Sequence, residues 1–442
     1  MTAKKIKQEA VIIPADLFFY PISLTQPDQL LTQDELYRHY EPPRGRKVYM
    51  GNQDEFVSFE NGIATVKLQL NDGSIYYLYL HVEKDELHTG CTCRMPQEKL
   101  CFHAFICLFN LTWLRETFNC QKLYWPNFYN EGNSRKYLNI KVSRRDIIVE
   151  VKPEYGLIYR SQIGFGLHSP PLLIESGDRT LLIKAGDTSV YAYALCFAPD
   201  AYRNRHYPIL MPFHGKTDKS GLKVSAFTRF SLPDKEQKPS EDYLNQQQLN
   251  EISKTMYEIM RPLTYKSELR DEQVWCEAKA TIFTLWKKAL PFLADHPYNH
   301  TYLLYWFKYL REKPTKSFMQ ACRYNLECPT LSFMLTFHKD RFNLSVEVII
   351  GSRIIAVKQK PHFFILDEQT GNCYLMNSVQ DDGLLNWMLD SKNKITALKE
   401  DFEEFNENFL IGLAECYPIF FTDKRGSRTA YDYNLLKSGL GW

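Results

Sequence analysis

The sequence predicts an α+β protein: a small ββα module, then antiparallel β-rich regions interrupted by a helical insert. Three observations lead there. Alternating apolar and polar residues recur in blocks on both sides of a central region that instead shows helical spacing. Asn61-Gly62 and Asp72-Gly73 punctuate the first block with the dipeptides of tight hairpin turns, since both accept positive φ. Tyr and Phe, at 28 each in 442 residues, are abundant, as a large share of sheet requires.

In chain order, residues 57–82 read as an antiparallel meander. Val66, Leu68 and Leu70 alternate with Thr65, Lys67 and Gln69, and after the second turn Leu78, Leu80 and Val82 oppose Tyr77, Tyr79 and His81. The apolar run from His103 to Leu114 predicts a short buried helix. From Tyr137 to about Phe230 strands dominate: Leu138, Ile140 and Val142, a polar turn at 143–146, then Ile147, Val149 and Val151, with further strands at Leu181–Lys184 and Val190–Phe197. The stretch 231–242, rich in Pro, Lys, Glu and Ser, reads as a linker.

Leu244, Leu249, Ile252, Met256 and Met260 then set helical spacing. Helices are also expected over Val274–Leu293, Thr301–Arg311 and Thr315–Tyr324, with Pro291, Pro297 and Pro314 at their edges. Strands return at Ser332–Phe337, Leu344–Ile350, Ile354–Val357 and His362–Leu366. Helical stretches near Leu384–Leu389 and Ile395–Leu410 precede the end. This divides the chain into an N-terminal segment (1–125, the ββα module at about 50–115), a β-rich domain (126–235), a helical region (236–325) and an α+β domain (326–442).

Charge and cysteine usage narrow the function classes. With 54 Lys and Arg against 52 Asp and Glu the formal net charge is +2, so a nucleic-acid surface would have to be a local patch. The 11 cysteines are odd in number and scattered apart from one cluster, which points to a reducing, cytoplasmic setting. The basic start Met1–Lys7 and the short apolar run at Val11–Ile13 fall short of a signal core. No stretch nears the ~18 apolar residues of a membrane span, so no membrane partner is expected.

The cluster reads Cys91-Thr-Cys93-Arg94, a loop, then Cys101-Phe102-His103. Three thiols and an imidazole match the tetrahedral, sulfur-and-nitrogen preference of zinc, and two close pairs joined by a loop converge on one ion. A structural Zn2+ is therefore expected on Cys91, Cys93, Cys101 and His103, with Arg94 and Lys99 offsetting the net negative charge. His88 and Cys107 are the nearby competitors, and Cys107 reads better as core between Ile106 and Leu108. A redox role is disfavoured because the Cys-x-x-Cys pattern and its βαβ context are missing.

Cys-x-Cys, a variable loop, Cys-x-His and an apolar helix together resemble the SWIM zinc finger over about residues 50–115. Members often carry Cys-Pro at the first pair and a basic residue between Cys and His, where this sequence has Arg94 and Phe102. The resemblance implies an accessory, non-catalytic region of a bacterial SWI/SNF-type helicase-like ATPase, engaging DNA or docking on the motor, with that ATPase in cis or in trans. The alternative is a zinc-stabilised protein-interaction scaffold.

The chain itself offers no enzyme signature. Gly215-Lys216-Thr217 lacks the upstream glycine of a phosphate loop and reads as a polar turn. Asp367-Glu368 and Asp381-Asp382 read as solvated turns, no Gly-x-Ser-x-Gly occurs, and Pro297 separates His296 from His300. The nucleic-acid candidates are Arg144-Arg145, Arg203-Asn-Arg205-His206-Tyr207, and Lys122 with Tyr124 and Trp125.

Overall fold

The computed structural model describes residues 14, 17–25, 29–40, 52–93, 99–113, 116–128, 131–163, 189–198, 206–231, 246–265, 272–304, 310, 313–357, 360–422 and 427–434. The expected strand at Leu181–Lys184, most of the 231–242 linker, Arg94 and Arg203–Arg205 lie outside these residues. The fold is mixed helix and sheet. Most strand pairs among the described residues are antiparallel, but parallel pairs also occur. The chain divides into two compact units, residues 1–166 with 337–343 and 395–413, and residues 167–336 with 344–394 and 414–442.

The first unit is built on strands β1 (Phe19–Ser23), β3 (Gln53–Glu60), β4 (Ile63–Gln69), β5 (Ile75–Val82) and β6 (Glu86–Cys91), in sheet order β1-β6-β5-β4-β3. A second pair, β2 (Leu30–Thr32) with β7 (Thr117–Asn119), lies outside that sheet. Both expected turns form. Asn61 and Gly62 take φ of 52° and 75° between β3 and β4, and Gly73 takes 86° between β4 and β5, with Asp72 Oδ1 accepting from the Ser74 N–H at 2.8 Å. The meander is larger than the alternation predicted, because β1 and β6 add to it.

Helices α1 (Gln33–His39) and α2 (Phe102–Thr112) complete the front of this unit. Every residue of α2 from Ala104 to Phe109 is buried in one core with Val66, Leu68, Leu78 and Leu80 of the sheet. Short helix α3 (Glu131–Tyr137) leads into the hairpin β8 (Leu138–Val142) and β9 (Ile147–Val151), whose turn falls where the polar link was expected. Strand β10 (Leu157–Ile158) pairs in parallel with residues 395–398.

The second unit holds the sheet β13-β12-β11-β14-β15-β20-β19, made of β11 (Ser189–Phe197), β12 (Ile209–Thr217), β13 (Val224–Phe230), β14 (Asn299–Leu303), β15 (Met319–Asn325), β19 (Phe364–Asp367) and β20 (Asn372–Leu375). Helices α4 (Gln247–Tyr265) and α5 (Glu272–Ala294) pack on each other and on this sheet. Polar bonds pin them: Asn250 Oδ1 accepts from the Tyr191 and Tyr193 hydroxyls, Ser253 Oγ donates to the Leu210 carbonyl at 2.7 Å, and Trp286 Nε1 donates to Pro208 at 2.8 Å. The unit also contains β16 (Thr330–His338), β17 (Arg341–Ile350), β18 (Arg353–Ile355), β22 (Ile419–Thr422), β23 (Arg428–Ala430) and helix α6 (Val379–Asp390). The hairpin end joining β16 to β17 belongs to the first unit.

Several expectations are corrected. Residues 299–303 are strand β14, not a helix, and 315–324 form a single 3-10 turn followed by β15. Residues 395–398 are strand β21 (Ile395–Leu398), with helix beginning only at Phe402. In each case the strand has sheet neighbours on both edges or is buried on both faces. Neither Asn299-His-Thr-Tyr-Leu303 nor Met319-Gln-Ala-Cys-Arg-Tyr-Asn325 shows a clean period-two alternation, so their sheet partners, not their own pattern, mark them as strands. Pro291 lies inside α5, not at its edge. It lies in the last turn, where it forgoes only the bond its own N–H would have given to the Lys287 carbonyl. The Gly215-Lys216-Thr217 stretch is not a turn. It ends strand β12, paired on one side with β11 and on the other with β13 through two register shifts.

Candidate metal centre

The four predicted ligands converge. One donor atom each from Cys91, Cys93, Cys101 and His103 lies within 4.8 Å of all the others, the only such group of three or more His, Cys, Asp or Glu side chains among the described residues. The group can hold a metal ion. Two elements place it. Cys91 closes strand β6, opposite Leu78 of β5. Pairing continues one residue further: the Thr92 N–H donates to the Tyr77 carbonyl, and Thr92 Oγ1 accepts from the Tyr77 N–H, both at 3.0 Å. Thr92 is thus tied to β5, with Cys91 and Cys93 on either side of it.

The second pair stands at the start of α2. Cys101 is the N-cap, extended in backbone and 8% exposed, and its Sγ accepts from the Ala104 N–H at 3.3 Å. A thiol there occupies the place usual for Ser, Thr, Asp or Asn, because sulfur satisfies one of the helix's free N–H groups and thiolate charge suits the helix N-terminus. His103, two residues on, stacks on the ring of Tyr76 with centroids 3.6 Å apart. Its Nδ1 is buried without a hydrogen-bond partner among the described residues. An orphaned imidazole nitrogen beside three thiols is a donor set that fits a metal.

The protons of this set are shared unequally. Hydrogen bonding from the Cys91 thiol, aided by His103, the Ala104 N–H and Cys93, holds the Cys101 thiol well below its ordinary range against the opposing effect of burial. Cys91, donating to Cys101 and partly desolvated, is pushed far up. Thiols that take up a cation give up their protons to it, so binding here would release protons.

Gly90 sits tightly just before Cys91: a Cβ there would come within 2.6 Å of Leu17 Cδ2 and 3.3 Å of the Phe19 ring, so the Leu17 side chain would have to move aside. The competing ligands stay away. Cys107 is fully buried in α2, desolvation holds its thiol well up, and it is not part of the group. His88 faces carboxylates instead, with Nε2 3.2 Å from Glu86 Oε2 and 3.6 Å from Glu83 Oε2. Lys99 is exposed beside the loop.

The remaining candidates are placed less simply. Tyr124 and Trp125 are buried, and the Trp125 ring is covered by the Arg160 guanidinium at 4.5 Å, so neither offers a free stacking face. Lys122 Nζ lies 2.5 Å from Asp146 Oδ1, and Arg144 Nε 3.4 Å from Glu55 Oε2. Tyr207 stacks on Phe363 and donates to the Trp275 carbonyl. His296 and His300 are both buried. Desolvation lowers each to about 4, and His300 sits between the edges of Phe213 and Phe227.

The acidic pair Asp381-Asp382 is a correction. It forms the first turn of α6, N-capped by Ser378, and both residues are buried. Asp382 accepts from the Phe363 N–H at 2.6 Å and pairs with Lys279 Nζ at 3.0 Å, while Asp381 accepts from the Tyr417 hydroxyl. Asp367 ends a strand at a turn but is buried, not solvated: it accepts from the Gln369 N–H and pairs with Arg353. No helix among the described residues is long and apolar enough to cross a membrane. Compared with protein-family models, curated proteins and solved structures, the chain finds no match.

Proposed function

We propose that Cys91, Cys93, Cys101 and His103 hold one structural Zn2+ in a SWIM-like ββα module, and that the chain acts through binding, not catalysis. The convergence of three thiols and one imidazole within 4.8 Å, between a strand end and a helix N-cap, carries this reading. Zinc favours four such ligands in a closed tetrahedron, with edges of roughly 3.8 Å implied by Zn–S distances of about 2.3 Å, so a small contraction of the cluster completes the site. A closed set leaves no position for water or substrate, which suits a structural ion. When bound, the metal would fasten α2 to the β5–β6 hairpin.

On this reading the region serves a SWI/SNF-type helicase-like ATPase, as the SWIM resemblance implies, by engaging DNA or by docking on the motor. A protein-interaction scaffold is the second reading. The acidic partners of Lys122 and Arg144, and the burial of Tyr124 and Trp125, favour it, because a surface for nucleic acid needs uncommitted cations and open aromatic faces.

Elemental analysis of the tag-free protein beside a Cys101→Ser, His103→Ala double variant tests the zinc. One zinc per chain in the parent and none in the variant is expected. A folded parent without metal refutes the module. Titration with a labelled duplex across a salt series separates the two roles. Phosphate-driven binding weakens steeply with salt, and absence of binding at low salt leaves the scaffold.

A further inference from the structure

The second unit carries a pair of thiols that the zinc reading does not use. Cys322 lies on β15 and Cys373 on β20, parallel neighbours in which Tyr324 pairs with Cys373 and Arg323 with Asn372. Residues two apart on a strand share a face, so Cys322, Tyr324 and Cys373 project from the same side of the sheet. The neighbouring Cys373 side chain, together with burial, raises the Cys322 thiol well above its ordinary range. Both thiols line a cavity of about 970 Å3. Its apolar wall includes Leu195, Phe197, Leu303, Phe318, Ile354 and Phe364, and Thr301, Gln320 and Lys360 are among its polar groups. Tyr324 is 4% exposed, and its hydroxyl has no hydrogen-bond partner among the described residues.

The number of donors decides the chemistry. Zinc requires four ligands, and no third His, Cys, Asp or Glu joins this pair among the described residues. A disulfide is also disfavoured. Cys373 stands opposite Tyr324, two positions beyond Cys322, and diagonal neighbours in a sheet lie roughly 7–8 Å apart, whereas bridged cysteines need a Cα separation of about 4.4–6.8 Å. An ion between the sulfurs spans what a direct S–S bond does not. Soft thiolates select Cu(I), and a monovalent closed-shell ion is satisfied by two of them.

We propose that Cys322 and Cys373 form a two-coordinate site for Cu(I), reached through the cavity. On binding, two S–H bonds break, two S–Cu bonds form, two protons leave to solvent, and no electron is transferred. The product carries one negative charge. The unpartnered Tyr324 hydroxyl, on the same face of the sheet, is the group that would donate to it.

The test is anaerobic titration of the zinc-loaded full chain with Cu(I), delivered from a chromophoric Cu(I) chelator. One equivalent per chain, taken up without zinc release, is expected. Cys322→Ser and Cys373→Ser should each abolish that uptake, while Tyr324→Phe should weaken it by about 10-fold, as loss of an outer hydrogen bond does. Copper X-ray absorption on the parent reads the site without any variant and should give two sulfur neighbours and no nitrogen. Uptake that persists in both serine variants, uptake matched by zinc release, a nitrogen neighbour, or no uptake at all overturns the assignment.

Discussion

Asp401 should make the first unit less stable at high pH, and Asp401→Asn should remove the effect. Asp401 follows β21 and precedes the helical turn Phe402–Phe405, with its backbone N–H bonded to the Leu398 carbonyl and its own carbonyl accepting from the Phe405 N–H. It is 3% exposed. The Asn127 side chain donates to Oδ1, and Oδ2 has no partner among the described residues. Burial, then the nearby charges of Glu404 and Glu400, raise it from 3.8 to about 7 despite the Asn127 bond.

The sign follows from proton binding. Between about pH 4 and 7 the folded chain keeps a proton that the unfolded chain has lost, so stability falls as pH rises and the penalty is complete above about pH 7. Three pH units at about 1.4 kcal/mol each set a ceiling of roughly 4 kcal/mol. About 1.5 kcal/mol of that is already incurred at pH 5, so a further ~3 kcal/mol should appear between pH 5 and 8. Asn mimics the protonated acid and keeps the acceptor for Asn127. Urea unfolding of parent and Asp401→Asn at both pH values reads the difference directly: the variant's advantage should grow by about 3 kcal/mol from pH 5 to 8. An advantage equal at both values would refute the placement of an ionisable, poorly solvated carboxyl at this position.

Further expectations rest on other contacts. Chelation of the metal at neutral pH should unfold α2 from its sheet and lower the melting temperature, and added zinc should restore it. Reversal by zinc but not by magnesium is the check, since Mg2+ prefers oxygen ligands. Gly90→Ala should cost about 1–3 kcal/mol, because its Cβ would meet Leu17, whereas Gly412→Ala, with nothing within 4 Å, should stabilise its helix by about 0.5–1 kcal/mol. Equal effects of the two substitutions in thermal melts would contradict the close approach of Leu17 to Gly90. Lys279→Met should cost about 3 kcal/mol by stranding the fully buried Asp382, and Asp382→Asn in the same background should recover part of it. A neutral Lys279→Met variant would show that Asp382 draws its stability from the Phe363 N–H alone.

The Cys/His cluster that could hold a metal was legible because its signal is local. Cysteine and histidine spacing, two turn dipeptides and an apolar run fix a strand–loop–helix arrangement within about 50 residues, and the structure brings Cys91, Cys93, Cys101 and His103 together as that spacing requires. Hairpin strands with one wet face, such as β4 and β8, were legible for the same reason: each period-two pattern needs only its own residues to be read.

The tertiary structure alone decided the rest. Residues 299–303 and 395–398 carry no alternation because both faces are covered, so only their neighbours β11, β15 and β10 reveal them as strands. Asp381 and Asp382 read as surface turns until Lys279, Tyr417 and the Phe363 amide arrive from distant parts of the chain to satisfy them in the interior. Cys322 and Cys373, 51 positions apart in the numbering, have no spacing signature and meet only because β15 and β20 pair in parallel. Local pattern encodes what a segment can bury. Which segment it is buried against depends on long-range pairing, and no single stretch of sequence contains that.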